Sequence, residues 1–273
     1  MPTLPASAWP AVLLLATASL MLLGAQRRSG LLLLGASLPA ALWGSWLSLP
    51  ALPPLLLAAA LLQWQQVRAS TPVLAILWLL ALALGLHLLP GFTGITLWQG
   101  RLAPDSSLLL LRWSLDKALG GCLLLLLYAE WQPRPCGQRW PQLALAALLL
   151  ALAVAAALLL GLVHIDVKWP AWWPFWLIGN LLFTCLAEEA LFRRALPQLL
   201  PASWTPLARM LVCSLLFGLA HAAGGSLWVL CASLAGMAYA LVYRAGGRLG
   251  WAILAHVGFN SLHLALLSYP QLQ

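Results

Sequence analysis

Apolar residues in this chain come in long, nearly unbroken runs. They lie at about 9–26, 30–49, 51–66, 72–90, 112–131 and 142–163, then at about 172–194, 206–222, 226–243 and 250–269. A helix needs about 20 apolar residues to cross a hydrocarbon core of roughly 30 Å. Lipid offers backbone groups no hydrogen bonds, so runs of this kind are helices rather than open strands. The alternating pattern of a membrane barrel is absent. Proline and glycine mark the junctions: Pro50, Pro53 and Pro54, Pro90-Gly91, Pro133 and Pro135, Pro170 and Pro174, Pro201, and Gly246-Gly247. The pattern predicts an all-α, polytopic transmembrane helix bundle of about 8–10 membrane helices. The short run at 51–66 is the one that a half-helix would also satisfy.

Composition agrees. Hydrophobic residues make up 63% of the 273 positions and charged residues only 7%, against about a quarter in soluble domains. The formal charge of +8 does not indicate nucleic-acid binding, because basic residues stand singly or in pairs between apolar runs, as topology signals do. With ten crossings and both termini outside, the cytoplasmic side holds Arg27, Arg28, Arg68, Arg134, Arg139, Arg193, Arg194, Arg209, Arg244 and Arg248. Arg101, Arg112, Lys117 and Lys168 stay outside, which is the expected asymmetry. Trp9 to Gln26 superficially resembles a signal peptide, but Arg27 and Arg28 follow its apolar run and no basic residue precedes it. Of the five cysteines, only Cys136 falls in an evident loop, and their spacing is not that of a metal site. Cys185 lies three residues before Glu188 and reads as a small apolar filler rather than a nucleophile.

The halves differ in content. Residues 1–140 form a helical region of unknown role, mostly Leu and Ala, in which Asp116 and Lys117 read as an interfacial pair at a helix start. His87 and His164 read as an incidental helix residue and a loop residue. From about 172 onward polar residues enter the apolar runs: Glu188-Glu189 with Arg193, Phe217 with His221, and His256 with Asn260. Ionisable groups in membrane helices cost roughly 2.5–3.5 kcal/mol each, so these face a partner or a wet cavity. Glu189 and Arg193 are four apart and share a helical face, with the acid first. Glu188 points about 100° away, with no cation on its own helix, and suits a general base. A turn at Pro201–Thr205 makes the next helix antiparallel, setting Glu188 and His221 each about 20 Å from the turn. His256 and Asn260 share a face and offer N–H groups for an oxyanion. His263 follows Asn260 by three and can face the same cavity in a supporting role.

These three stretches, in this order, resemble the EExxxR, FxxxH and HxxxN motifs of the CPBP family, which includes type II CAAX prenyl endopeptidases and bacteriocin-processing or immunity-associated proteins. The resemblance spans about 172–268, within a region 141–273. It implies a glutamate-dependent intramembrane endopeptidase with no metal or other cofactor. Glu188 would activate water with help from His221, while His256 and Asn260 stabilise the oxyanion. Glu189, Arg193 and Phe217 would support the site. The implied partners are the bilayer and a membrane-anchored protein or peptide, in a bacterial plasma (inner) membrane. Arg194 stands where many members of that family carry glycine, which bears on packing or substrate access at that corner. Other readings are a zinc protease, although no His-Glu-x-x-His helix is present, a non-enzymatic immunity or scaffold protein, and a transporter, for which no inverted repeat is evident.

Overall fold

The computed structural model describes residues 4–128 and 137–272. Pro133, Arg134, Pro135 and Cys136, assigned above to a loop, lie outside the described residues. Ten helices form among those residues, one for each apolar run, with one two-stranded sheet. In chain order they are α1 (Trp9–Leu23), α2 (Arg27–Trp43), α3 (Leu52–Val67), α4 (Thr71–Gly85), β1 (Ile95–Gly100) and β2 (Leu109–Trp113). Then come α5 (Leu115–Leu127), α6 (Arg139–Leu159), α7 (Trp173–Gln198), α8 (Pro206–Leu219), α9 (Ser226–Gly246) and α10 (Leu249–Leu266).

Proline sits in the first turn of α1, α3, α4 and α8, where its missing N–H costs nothing. Thr205 caps α8 by accepting from the Ala208 amide at 3.1 Å. Gly247 ends α9 in the left-handed region, φ +67°, which a side chain resists. Among the described residues, five helical stretches are long and apolar enough to cross a membrane: Ala6–Leu23, α6, α7, α9 and α10. α4 and α8 are apolar but shorter. Leu148, Leu152, Leu254 and Leu262 point outward and exposed, as a surface facing lipid requires. The chain is a multi-pass membrane protein.

A small two-stranded sheet accompanies the all-α bundle and shifts the start of one helix. β2 takes up Arg112 and Trp113, so the helix expected from 112 begins only at Leu115, behind Ser114. Alternation in β2 explains this: Leu109, Leu111 and Trp113 are buried while Leu110 and Arg112 are exposed.

The structure divides into two compact units, each assembled from separate stretches of chain. The first comprises the described residues of Met1–Leu97, Arg112–Glu130 and Ile178–Ala190. In it α1 packs on α2, and α5 packs on α1, α4 and the Leu186–Glu189 turn of α7. The second comprises the described residues of Trp98–Leu111, Trp131–Leu177 and Leu191–Gln273. There α9 is the central helix, contacting α6, α8 and α10.

Candidate active site

In the first unit, α7 is not a uniform α-helix around the glutamates. Asn180–Cys185 and Ala190–Ala195 are π-helical, flanking one α-turn at Leu186–Glu189. Each π turn inserts an extra residue and re-phases the faces that follow, a distortion concentrated at functional sites. Within the central turn, Glu189 is wholly buried. Glu188 keeps 15% of its side chain accessible and accepts a hydrogen bond from Lys117 Nζ at 2.8 Å.

A cation from α5 therefore pairs with Glu188. This corrects the reading of Asp116 and Lys117 as an interfacial pair. Asp116, buried, instead accepts from His87 Nδ1 at 2.7 Å. His87 is not a helix residue: it follows α4 with φ +58°. Adjacent residues on a helix point to different sides, so Asp116 and Lys117 serve two separate pairs.

Gly121 makes the Lys117 contact feasible. It lies one turn beyond Lys117 on the same face of α5, and a Cβ there would sit 2.8 Å from Ala187 Cα. The backbones of α5 and the Glu188 turn thus meet without an intervening side chain. Gly121→Leu is expected to push them apart and lower thermal stability by about 1–3 kcal/mol, as overpacking does. An unchanged unfolding midpoint in detergent would show that the helices do not approach this closely.

Cys185, considered above as a filler, is fully buried and donates to Asn180 Oδ1 at 3.1 Å.

In the second unit, His221, His256, Asn260 and His263 line one cavity of about 240 Å³, room for several waters at roughly 30 Å³ each. Phe217 is its hub. Its ring lies 4.7 Å from that of His221, 5.6 Å from His256, 6.0 Å from Tyr239 and 5.2 Å from Phe192. The Arg193 guanidinium lies over its face at 5.2 Å. Gly236 on α9 leaves space for this ring, since a Cβ there would meet Phe217 Cδ1 at 3.0 Å.

His221 follows the C-terminus of α8 and donates through Nδ1 to the Phe217 carbonyl at 2.8 Å. That carbonyl belongs to the last turn of α8, whose acceptors have no helical donor to receive. The bond places the proton on Nδ1, so the neutral ring carries its lone pair on Nε2. Loss of helical structure after Leu219 is what turns His221 back onto its own helix end.

His256 is 97% buried and stacks on Tyr239, with centroids 4.5 Å apart and planes 18° apart. Hydropathy alone does not distinguish Tyr239 from its neighbours on α9. Replacing it with Leu is expected to remove about 0.5–1.5 kcal/mol of ring–ring interaction, whereas Tyr239→Phe keeps the stack. Equal unfolding midpoints for both variants would count against this role.

His263 stands against Trp228 and Tyr269, with ring centroids at 5.7 and 4.9 Å. It lines the same cavity as Asn260, as its spacing predicts. His164 is not isolated, since its Nδ1 lies 3.6 Å from Asp105 and its amide donates to Ser268 Oγ.

The His221, His256 and Asn260 side chains offer one basic nitrogen and further N–H groups around a space of peptide size, which suits hydrolysis of an amide. Residues 170–262 match the family described as type II CAAX prenyl endopeptidase Rce1-like. The matched stretch contains all three motifs. No curated protein and no solved structure matches the chain.

Proposed function

We propose, proceeding from a segment 170–262 that belongs to the CPBP/CAAX protease-like family, that this chain is a glutamate-dependent intramembrane endopeptidase. The observation that carries the proposal is the convergence of His221, His256 and Asn260, from two separate motifs, on one cavity. In this reading the Glu188 carboxylate takes a proton from water, and His221 Nε2 assists it. The hydroxide adds to the carbonyl carbon of a peptide bond. His256 and Asn260 donate to the oxygen as it becomes negative. Proton return to the amine nitrogen then releases both products. Glu189, Arg193 and Phe217 hold the architecture, and the chemistry needs no metal.

The substrate class is a membrane-associated protein cut near its lipid-held end, at the plasma membrane. The motif-bearing region 141–273 carries the reaction in this proposal, and Lys117 supports it from outside that region. The test is cleavage of candidate peptides in detergent, with and without a lipid-modified C-terminus, by wild type, Glu188→Gln, His221→Ala and the double variant. Groups acting on one bond give strongly non-additive losses. Activity that persists in Glu188→Gln, or that a strong chelator abolishes and zinc restores, would replace this mechanism.

A further inference from the structure

A different cavity of the second unit measures about 500 Å³, and no step above uses it. It lies where α7 ends at Gln198, α8 begins at Pro206 and α9 runs through its last turn at Arg244. Two helix ends and a helix beginning at one level mark the edge of the membrane-spanning region. Among the described residues, three guanidinium groups line it, from Arg193, Arg209 and Arg244, and no acidic side chain does. The remaining wall is apolar or aromatic, including Met210, Trp204 and Tyr243.

Two of the arginines are under-used by the protein. Arg209 donates from Nη2 to the Pro201 carbonyl at 2.9 Å, while its buried Nε has no hydrogen-bond partner among the described residues. Among the described residues Arg244 donates to the Met210 sulfur, at 3.9 Å, a weak acceptor. A buried donor without a partner is costly. Planar guanidinium groups match phosphate oxygens in paired hydrogen bonds.

We propose that this cavity binds the phosphodiester headgroup of an anionic phospholipid. A soluble phosphate needs only the cations. The apolar wall, together with Trp204 and Leu207, both more than a third exposed beside the turn, fits an acyl-bearing ligand in the adjoining leaflet. Basic pockets between membrane helices recognise such headgroups.

The test uses the full chain in detergent, offered equal amounts of phosphatidylglycerol and phosphatidylcholine, with bound lipid read by native mass spectrometry. Wild type is expected to retain phosphatidylglycerol about tenfold or more over phosphatidylcholine, given two arginine–phosphate contacts. Equal retention overturns the proposal. Arg209→Gln/Arg244→Gln is expected to abolish the preference, and Arg68→Gln in the first unit to leave it intact. An unchanged preference in the first variant, or an equal loss in the second, overturns the site. Should the double Gln variant not remain monodisperse, Arg209→Gln and Arg244→Gln are read singly instead, and an undiminished preference in both has the same force. Inorganic phosphate is added as a competitor. Displacement of phosphatidylglycerol by phosphate at equal concentration would reassign the site to a soluble anion. Because the readout is lipid retention, it stands or falls apart from the protease reading.

Discussion

Glu188→Gln is expected to lower kcat/KM for peptide cleavage by about 10²–10⁴-fold, the usual worth of a general base. The substitution is chosen for what it leaves in place. The Gln carbonyl oxygen still accepts from Lys117 Nζ, which lies 2.8 Å from the native carboxylate. Shape and hydrogen bonding are kept, and the lone pair basic enough to take a proton from water is removed. The unfolding midpoint is expected to fall less than in a variant that also loses the hydrogen bond, because the Lys117 ammonium keeps an acceptor, while turnover falls by orders of magnitude. Loss of turnover in a variant that still unfolds cooperatively supports the chemical role. Full turnover in a well-folded variant would leave Glu188 a structural residue and point to a binding function.

Lys117→Met is expected to be the most damaging substitution for stability. It removes the ammonium from a pair in which Lys117 is 25% and Glu188 15% accessible at the side chain. Removing one partner of a buried pair costs about 3–5 kcal/mol, with the lower end expected here because both groups keep some contact with solvent. The sign follows from which partner remains. Adding Glu188→Gln to Lys117→Met removes the carboxylate that lost its ammonium, so the double variant is expected to be more stable than Lys117→Met alone. Lys117→Arg keeps a cation and is expected to lose little. A thermal unfolding series in detergent reads all four proteins. A Lys117→Met protein with the wild-type midpoint would mean that the two groups do not form the pair. A double variant no better than the single would trace the cost to lost packing by the Lys stem.

These two experiments probe residues that differed in how readable they were. Glu188 stood out because a carboxylate within an apolar run is expensive in lipid. Lys117 carried the same cost, yet its neighbour Asp116 supplied a ready local explanation, and local charge balance hid the two long-range pairs. His87 was obscured likewise, since its partner lies 29 residues away. Tyr239 gave no signal, because an aromatic ring on an apolar helix reads the same whether it packs on lipid or on an imidazole.

The helix irregularities were equally out of reach. Counting at 3.6 residues per turn treats residues 180–195 as one regular helix, whereas π turns stand on both sides of Leu186–Glu189. An extra residue per turn follows from packing against neighbours, and residue order does not encode it. The β1–β2 pair has a similar origin: alternation over five residues is too short to prevail against the long apolar run beside it.

Ten helices, their approximate limits and the motif residues follow from residue order, because solvation in lipid acts on each segment separately and is read one run at a time. Which cation reaches Glu188, which rings enclose His256, and which arginines share a cavity depend on side chains distant in the chain meeting at contact range. Those contacts are set by close approaches such as Gly121 against Ala187 and Gly236 against Phe217, where the absence of a single carbon lets two helices touch.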